Sequence, residues 1–298
     1  MLMDGFTRTE IQTSGARIVT VHGGSGPPVL LMHGNPFTHL SWHKFAPRLA
    51  QEFTVVATDL RGYGDSEKPP SLPDHSSYSF RAMAQDQVEV MAALGFDRFM
   101  AAGHDRGARV LHRMCLDHPD KVMRAAIMDI IPQHYLFNNI TQAWATSAYH
   151  WFFMIQPAPM PERLMGAYPD FFIEKKLAKT AQGLSFFGKE ALEEYKRCFR
   201  NPETVRAMCE DYRACASYDL AMDTTDFAAG KRVTVPVQVL WGATGAVGRI
   251  HKPAEIWPRY ATDIRDMQAL PCGHYLSEEA PEETYQALRT FFQGAGSA

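Results

Sequence analysis

The stretch Arg98–Arg109, RFMAAGHDRGAR, limits the possible folds more than any other part of the chain. Phe99 to Gly103 are apolar or small and carry no charge. They run into Gly103-His104-Asp105-Arg106-Gly107, and an apolar helical spacing follows at once (Ala108, Val110, Leu111, Met114, Cys115). A short buried strand that turns straight into a helix through a small-x-acid-x-small pentapeptide puts the middle residue on a strained turn. Side chains on its neighbours would clash there, hence the glycines.

That strand–turn–helix is the nucleophile elbow of the α/β-hydrolase architecture, and the flanking patterns agree with it. Residues 5–22 alternate as antiparallel strands, and Val29–Met32 is a short apolar strand entering His33-Gly34-Asn35-Pro36. Ser41–Gln51 reads as a helix and Thr54–Thr58 as a strand ending at Asp59. Ser79–Leu94 has helical periodicity with Ser79 as a candidate N-cap, and Ala125–Met128 is an apolar run ending at Asp129. Strands alternating with helices imply a mostly parallel sheet covered on both faces. Between 133 and 230 the pattern becomes helical (Gln142–Ile155, Lys189–Phe199, Pro202–Ala214), rich in aromatics and Met, with no convincing strand. Strands resume at Val235–Trp241 and Asp266–Leu270, and a helix closes the chain over Pro281–Phe292. The expectation is an α/β-hydrolase core over residues 1–132 and 231–298, with an inserted helical cap over 133–230.

Composition narrows the function classes. The 298 residues are 46% hydrophobic with net charge −3, so nothing calls for nucleic acid or an anionic membrane. There is no apolar run of about 18 residues and no basic-then-apolar leader at the N-terminus. The five cysteines are odd in number and never spaced CxxC. Free thiols in the reducing cytoplasm, with no zinc site, no other metal and no cofactor, are the expectation.

The replacement of serine by Asp105 decides the chemistry. A carboxylate is ionised at neutral pH and needs no base in order to attack. It can displace a leaving group from an sp³ carbon to give an ester, which water then cleaves at the aspartate's own carbonyl. Serine would leave an ether. Water activation needs a base, and His274, in Gly273-His274-Tyr275 after the last strand, falls where the order nucleophile, acid, histidine requires it. The acid that orients His274 is expected to be Asp129, because the loop Gly242–Gly248 after Trp241 holds no carboxylate. The backbone N–H groups of Asn35 and Arg106 are the candidate oxyanion donors, and the Asn35 side chain is a further candidate for touching a leaving group. Arg106 and Arg109 share a helix face, and two guanidinium groups suit the two-point grip of a substrate carboxylate. The competing reading for them is an internal salt bridge, to Asp59 or Asp65.

His104-Asp105-Arg106-Gly107-Ala108-Arg109, His150-Trp151 and Asp211-Tyr212-Arg213-Ala214 together resemble the haloacetate (fluoroacetate) dehalogenases. The resemblance extends through HGNP, DLRGYGDS, LDHPDKV and GHYLSEEAPEE. It implies that Asp105 attacks the α-carbon and expels halide, that His274 with Asp129 hydrolyses the ester to glycolate, and that Arg106 and Arg109 hold the carboxylate. It also implies a halide pocket of His150, Trp151 and Tyr212, with Tyr218 as the alternative tyrosine, and a homodimer. Asn35 departs from the aromatic residue often found there; it is more like the haloalkane dehalogenases, which carry Trp where this chain has Arg106. The alternative function is an epoxide hydrolase, with the same Asp105–His274 chemistry and tyrosines (Tyr149, Tyr212 or Tyr218) protonating the oxygen. Its mostly neutral substrates leave the two arginines unexplained.

Overall fold

The computed structural model describes residues 2–179 and 182–294. Eight strands form one sheet: β1 (Thr7–Gln12), β2 (Arg17–Gly23), β3 (Pro28–Met32), β4 (Thr54–Thr58), β5 (Phe99–His104), β6 (Val122–Met128), β7 (Val237–Gly242) and β8 (Ile264–Leu270). They lie in the order β1-β2-β4-β3-β5-β6-β7-β8. β2 pairs antiparallel with β1 and β4, and every later neighbour is parallel. β5 is buried along its whole length, as a central parallel strand covered on both faces must be, which is why it reads as a continuous small and apolar run.

The elbow depends on its two glycines. A Cβ on Gly103 would lie 2.4 Å from the Gly107 carbonyl oxygen, and one on Gly107 would lie 2.2 Å from the Met32 carbonyl oxygen. Only hydrogen fits at both, so the helix Arg106–Asp117 can pack directly on β3 and β5.

The helix expected over Ser41–Gln51 is instead a 3-10 turn at His39–Trp42 followed by a short helix at Ala46–Leu49, which begins with Pro47 in its first turn. A proline has no N–H to give an earlier turn, so the helix starts there. Ser79 does cap the helix Phe80–Ala93, accepting from the Ala82 N–H at 3.2 Å. The described elements between β6 and β7 are all helical. The helix expected over Gln142–Ile155 breaks at Ala148 into Gln142–Ser147 and Tyr149–Met154, and Trp144 meets Trp151 edge to face across the break. The five cysteines are buried free thiols. Among the described residues, no helix is long and apolar enough to cross a membrane, and no group of three or more His, Cys, Asp or Glu is placed to hold a metal ion.

Candidate active site

Asp105 sits between β5 and the helix that follows, with φ 49° and ψ −113°. A non-glycine residue pays for that conformation only where its surroundings hold it there. The Asp105 N–H donates to Met128 O at 3.2 Å, and the Gly107 N–H donates to His33 O at 2.9 Å. One oxygen of the carboxylate, Oδ2, accepts from the Asn35 N–H at 3.2 Å. Burial by itself would raise the Asp105 pKa. The neighbouring His274, with His104 and Lys176 beyond it, more than offsets this and holds the group well below the usual carboxylate range. The Asp105 carboxylate is therefore ionised at neutral pH.

His274, in the loop after β8, donates from Nδ1 to Asp129 Oδ2 at 2.5 Å, and Asp129 Oδ1 accepts the Gly242 N–H at 2.8 Å. Both oxygens of Asp129 are thus committed to orienting the imidazole and its loop. The proton on Nδ1 leaves Nε2 with its lone pair toward Asp105, and Nε2 lies 3.9 Å from Asp105 Oδ2. That is too long for a hydrogen bond, and it becomes a charge contact when Nε2 is protonated. Burial lowers the His274 pKa, but Asp105 and Asp129 outweigh it and the net shift is upward. The preceding residue of the elbow, His104, donates from Nε2 to the His274 carbonyl at 2.7 Å. Burial lowers its pKa to about 4, so it is a neutral brace for the loop that carries His274.

The loop His33–Pro36 is braced in a similar way. His33 donates from Nδ1 to Gly34 O and accepts the Leu60 N–H on Nε2. The Asn35 side chain donates to Tyr63 Oη at 3.3 Å. The Asn35 carbonyl accepts from Lys176 Nζ at 3.1 Å.

The two arginines have different environments. Arg106 is fully buried and in a salt bridge, and its partner is Asp211, not Asp59 or Asp65. Nε donates to Asp211 Oδ2 at 2.9 Å, and Nη2 donates to Oδ1 and to the Asp211 carbonyl. Asp59 is held by His39, and Asp65 by Arg197. Arg106 is thus not the free cation expected of a clamp; the donor it has left is Nη1, which has no partner among the described residues. Arg109 donates from Nη1 to Ile131 O at 3.2 Å, lies 4.7 Å from the Trp151 ring and leaves Nε without a partner among the described residues.

Trp151 and His150 pack edge-on against Tyr212, with ring centroids 5.6 and 5.9 Å away. Tyr212 is buried, whereas Tyr218 is partly exposed in the π-helical turn Cys215–Asp219 and has no ring contact with this pair. The Tyr212 hydroxyl and His150 Nδ1 have no partner among the described residues. Burial drives the Tyr212 pKa well up and the His150 pKa well down, so both are neutral donors near pH 7. Asp105, Arg109, His150, Trp151 and His274 line one cavity of about 270 Å³, together with Tyr149, Lys176 and Lys179. The sequence reading had no role for Lys176, Asp211, Tyr63 or His104. Asp211 and His104 each stand beside a residue singled out, and that adjacency was the available signal.

Residues 27–281 match the family of the alpha/beta hydrolase fold. The chain is 43% identical to a fluoroacetate dehalogenase of Burkholderia sp, over 99% of this chain and 97% of that protein. It is 30% identical to a soluble epoxide hydrolase of Corynebacterium sp. (strain C12), over 96% and 97%. A crystal structure of a provisionally assigned alpha/beta hydrolase from Nostoc sp PCC 7120 superposes with a TM-score of 0.94 at 51% identity, covering 98% of this chain and 99% of that one. The chain belongs to the α/β-hydrolase fold family and, within it, to the haloacetate dehalogenase family.

Proposed function

We propose that the protein hydrolyses the carbon–halide bond of a haloacetate, giving glycolate, halide and a proton. The observation that carries this reading is the cavity's lining. An ionised Asp105 faces it beside Arg109, a buried cation in no ion pair among the described residues, and beside His150, a neutral imidazole whose Nδ1 has no partner among those residues.

The substrate carboxylate accepts from Arg109 Nε and Arg106 Nη1, which turns its α-carbon toward Asp105. An Asp105 oxygen bonds to that carbon as the carbon–halide bond breaks and the halide leaves with the electron pair. His150, Trp151 and Tyr212 donate to the departing halide, and such donors act most where charge develops. Water then adds to Asp105 Cγ while His274 Nε2 takes its proton, and the Asn35 and Arg106 N–H groups hold the oxyanion. Breaking the ester C–O bond returns the Asp105 carboxylate and releases glycolate, with the proton passing from His274.

Epoxide opening would use the same nucleophile with Tyr149 or Tyr212 as acid. It would leave the unpaired cation of Arg109 beside the nucleophile without a function. The test is halide release from fluoroacetate and chloroacetate, with a haloalkane and styrene oxide as controls. Halide from the acids is expected. Diol from styrene oxide with no halide from either acid would overturn the reading.

A further inference from the structure

Six lysine and arginine side chains are buried among the described residues: Arg61, Arg106, Arg109, Arg113, Lys176 and Arg213. Four of them meet carboxylates. Arg61 pairs with Asp86, Arg106 with Asp211, Arg113 with Asp117, Asp223 and Asp226, and Arg213 with Glu162 and Glu210. The other two, Arg109 and Lys176, form no ion pair among the described residues, and both line the same cavity. A buried cation is costly unless an anion meets it. Arg109 has its anion in the substrate carboxylate of the haloacid reading. Lys176 has only the charge of Asp105, with which it forms no ion pair.

Lys176 is 3% exposed, and the one hydrogen bond its Nζ makes among the described residues is to the Asn35 carbonyl. Burial lowers its pKa to about 7, so an anion beside it favours the ammonium; an ammonium has three donors, of which two remain. It lies at the end of the helix Pro169–Leu177 in the insertion, whereas Arg109 lies on the helix of the elbow. Lys179 and Arg249 also line the cavity, and neither forms an ion pair among the described residues. The cavity is larger than a haloacetate requires. At about 30 Å³ for each water, 270 Å³ is roughly nine waters, against the five non-hydrogen atoms of a haloacetate and the nine of a halosuccinate.

We propose that Lys176, with Lys179 and Arg249, forms a second anion subsite, and that the cavity takes 2-halogenated dicarboxylic acids such as a 2-halosuccinate. This rests on the haloacid reading and extends it. The carboxylate next to the reacting carbon sits on Arg109, and the distal carboxylate sits on Lys176 and its neighbours. Asp105 displaces halide from C2. Hydrolysis of the ester at Asp105 Cγ, with His274 moving the proton, gives 2-hydroxysuccinate, halide and a proton, and Asp105 is regenerated.

The experiment compares halide release from chloroacetate, 2-chlorosuccinate and 2-chlorobutanoate, the last having the same carbon chain without the second charge. In the native enzyme kcat/KM for 2-chlorosuccinate is expected to exceed that for 2-chlorobutanoate at least tenfold. Lys176→Met and, separately, Lys179→Gln should each lower that ratio severalfold or more. Lys179 is exposed, so its variant keeps the test open if Lys176→Met fails to fold. Calorimetry with succinate against butanoate reads the same preference without turnover. Turnover of chloroacetate with no preference for the dicarboxylate, or a ratio that neither variant changes, overturns the subsite and leaves the haloacid reading standing. No halide from any of the three acids overturns the haloacid reading itself.

Discussion

Arg106 and Asp211 meet as a bidentate pair in which neither side chain is exposed, and the pair joins the first turn of the elbow helix to the last turn of the helix Pro202–Ala214, between β6 and β7. Tyr63 adds to it, donating from its hydroxyl to Asp211 Oδ2 at 2.6 Å. The Arg106 guanidinium carbon lies 4.2 Å from the centroid of the Tyr212 ring. The salt bridge therefore fixes the wall on which Tyr212 is presented as well as the orientation of Nη1.

Removing one partner of such a pair leaves an uncompensated buried charge, which costs about 3–5 kcal/mol. Asp211→Asn keeps the shape and loses the charge. Its free energy of unfolding by urea is expected to fall by an amount in that range, with a raised KM for chloroacetate because Arg106 no longer has a fixed orientation. A variant as stable as the parent would show that the pair does not hold the insertion to the core.

Asp105→Asn should abolish halide release, since an amide does not displace halide. His274→Asn should retain the first step and lose the second. One equivalent of halide per site is then expected in a burst, together with a carboxymethyl ester on Asp105 detectable by intact mass. A His274→Asn enzyme with full steady-state turnover would remove His274 from the role of base.

The raised His274 pKa gives a signed prediction. Asp105 and Asp129 both favour the imidazolium, so in the free enzyme His274 should titrate above its ordinary value of 6.5. Ester formation neutralises Asp105. In the intermediate that contribution is gone, and the acid limb of kcat, where hydrolysis of the ester is limiting, should lie below the free-enzyme titration. Asp105→Asn mimics the neutral state, so the His274 titration followed by NMR should move downward in that variant. An unchanged titration would mean that Asp105 does not act on His274 across the 3.9 Å gap.

The parts of the site that could be read from the sequence are those fixed by chain order and by local turns. Asp105 is marked by its glycines, Asp129 by the end of β6, and His274 by the loop after β8; each follows from where a strand stops. The environment of Arg106 could not be read this way. Its partner is 105 positions away, in a helix whose packing has no sequence period tying it to the elbow, and one strand-end aspartate looks like any other until the chain is folded. Lys176 was hidden for the same reason. Nothing in the sequence distinguishes the adjacent Lys175 and Lys176, and only the packing of the helices between β6 and β7 buries the second while leaving the first exposed. The break at Ala148 was also illegible, because apolar spacing runs through it without a proline or glycine.

Arg109→Ala removes the buried cation assigned to the substrate carboxylate. Hydrogen bonds to charged groups are worth about 1.5–3 kcal/mol, so kcat/KM for chloroacetate is expected to fall roughly tenfold to a hundredfold or more. A neutral haloalkane should lose far less. Equal losses on both would show that Arg109 supports the Trp151 face, 4.7 Å from its guanidinium carbon, and does not hold a carboxylate.

Tyr212→Phe tests the halide pocket by leaving-group chemistry. Fluoride is a poor leaving group and a strong hydrogen-bond acceptor, so it gains more than chloride from each donor as charge develops. Tyr212 is suited to that task because burial keeps its phenol protonated and its hydroxyl has no partner among the described residues. Deleting the hydroxyl leaves no orphaned partner in the protein, so stability should change little while the transition state loses a donor. The loss of one preorganised donor costs on the order of a hundredfold or more in rate where charge is concentrated. The expected result is a fall of that order with fluoroacetate and a clearly smaller one with chloroacetate, read from single-turnover halide release so that hydrolysis of the ester does not mask the first step. Equal losses on the two halides would place the Tyr212 hydroxyl away from the leaving group and make its ring, packed on His150 and Trp151, the feature that matters.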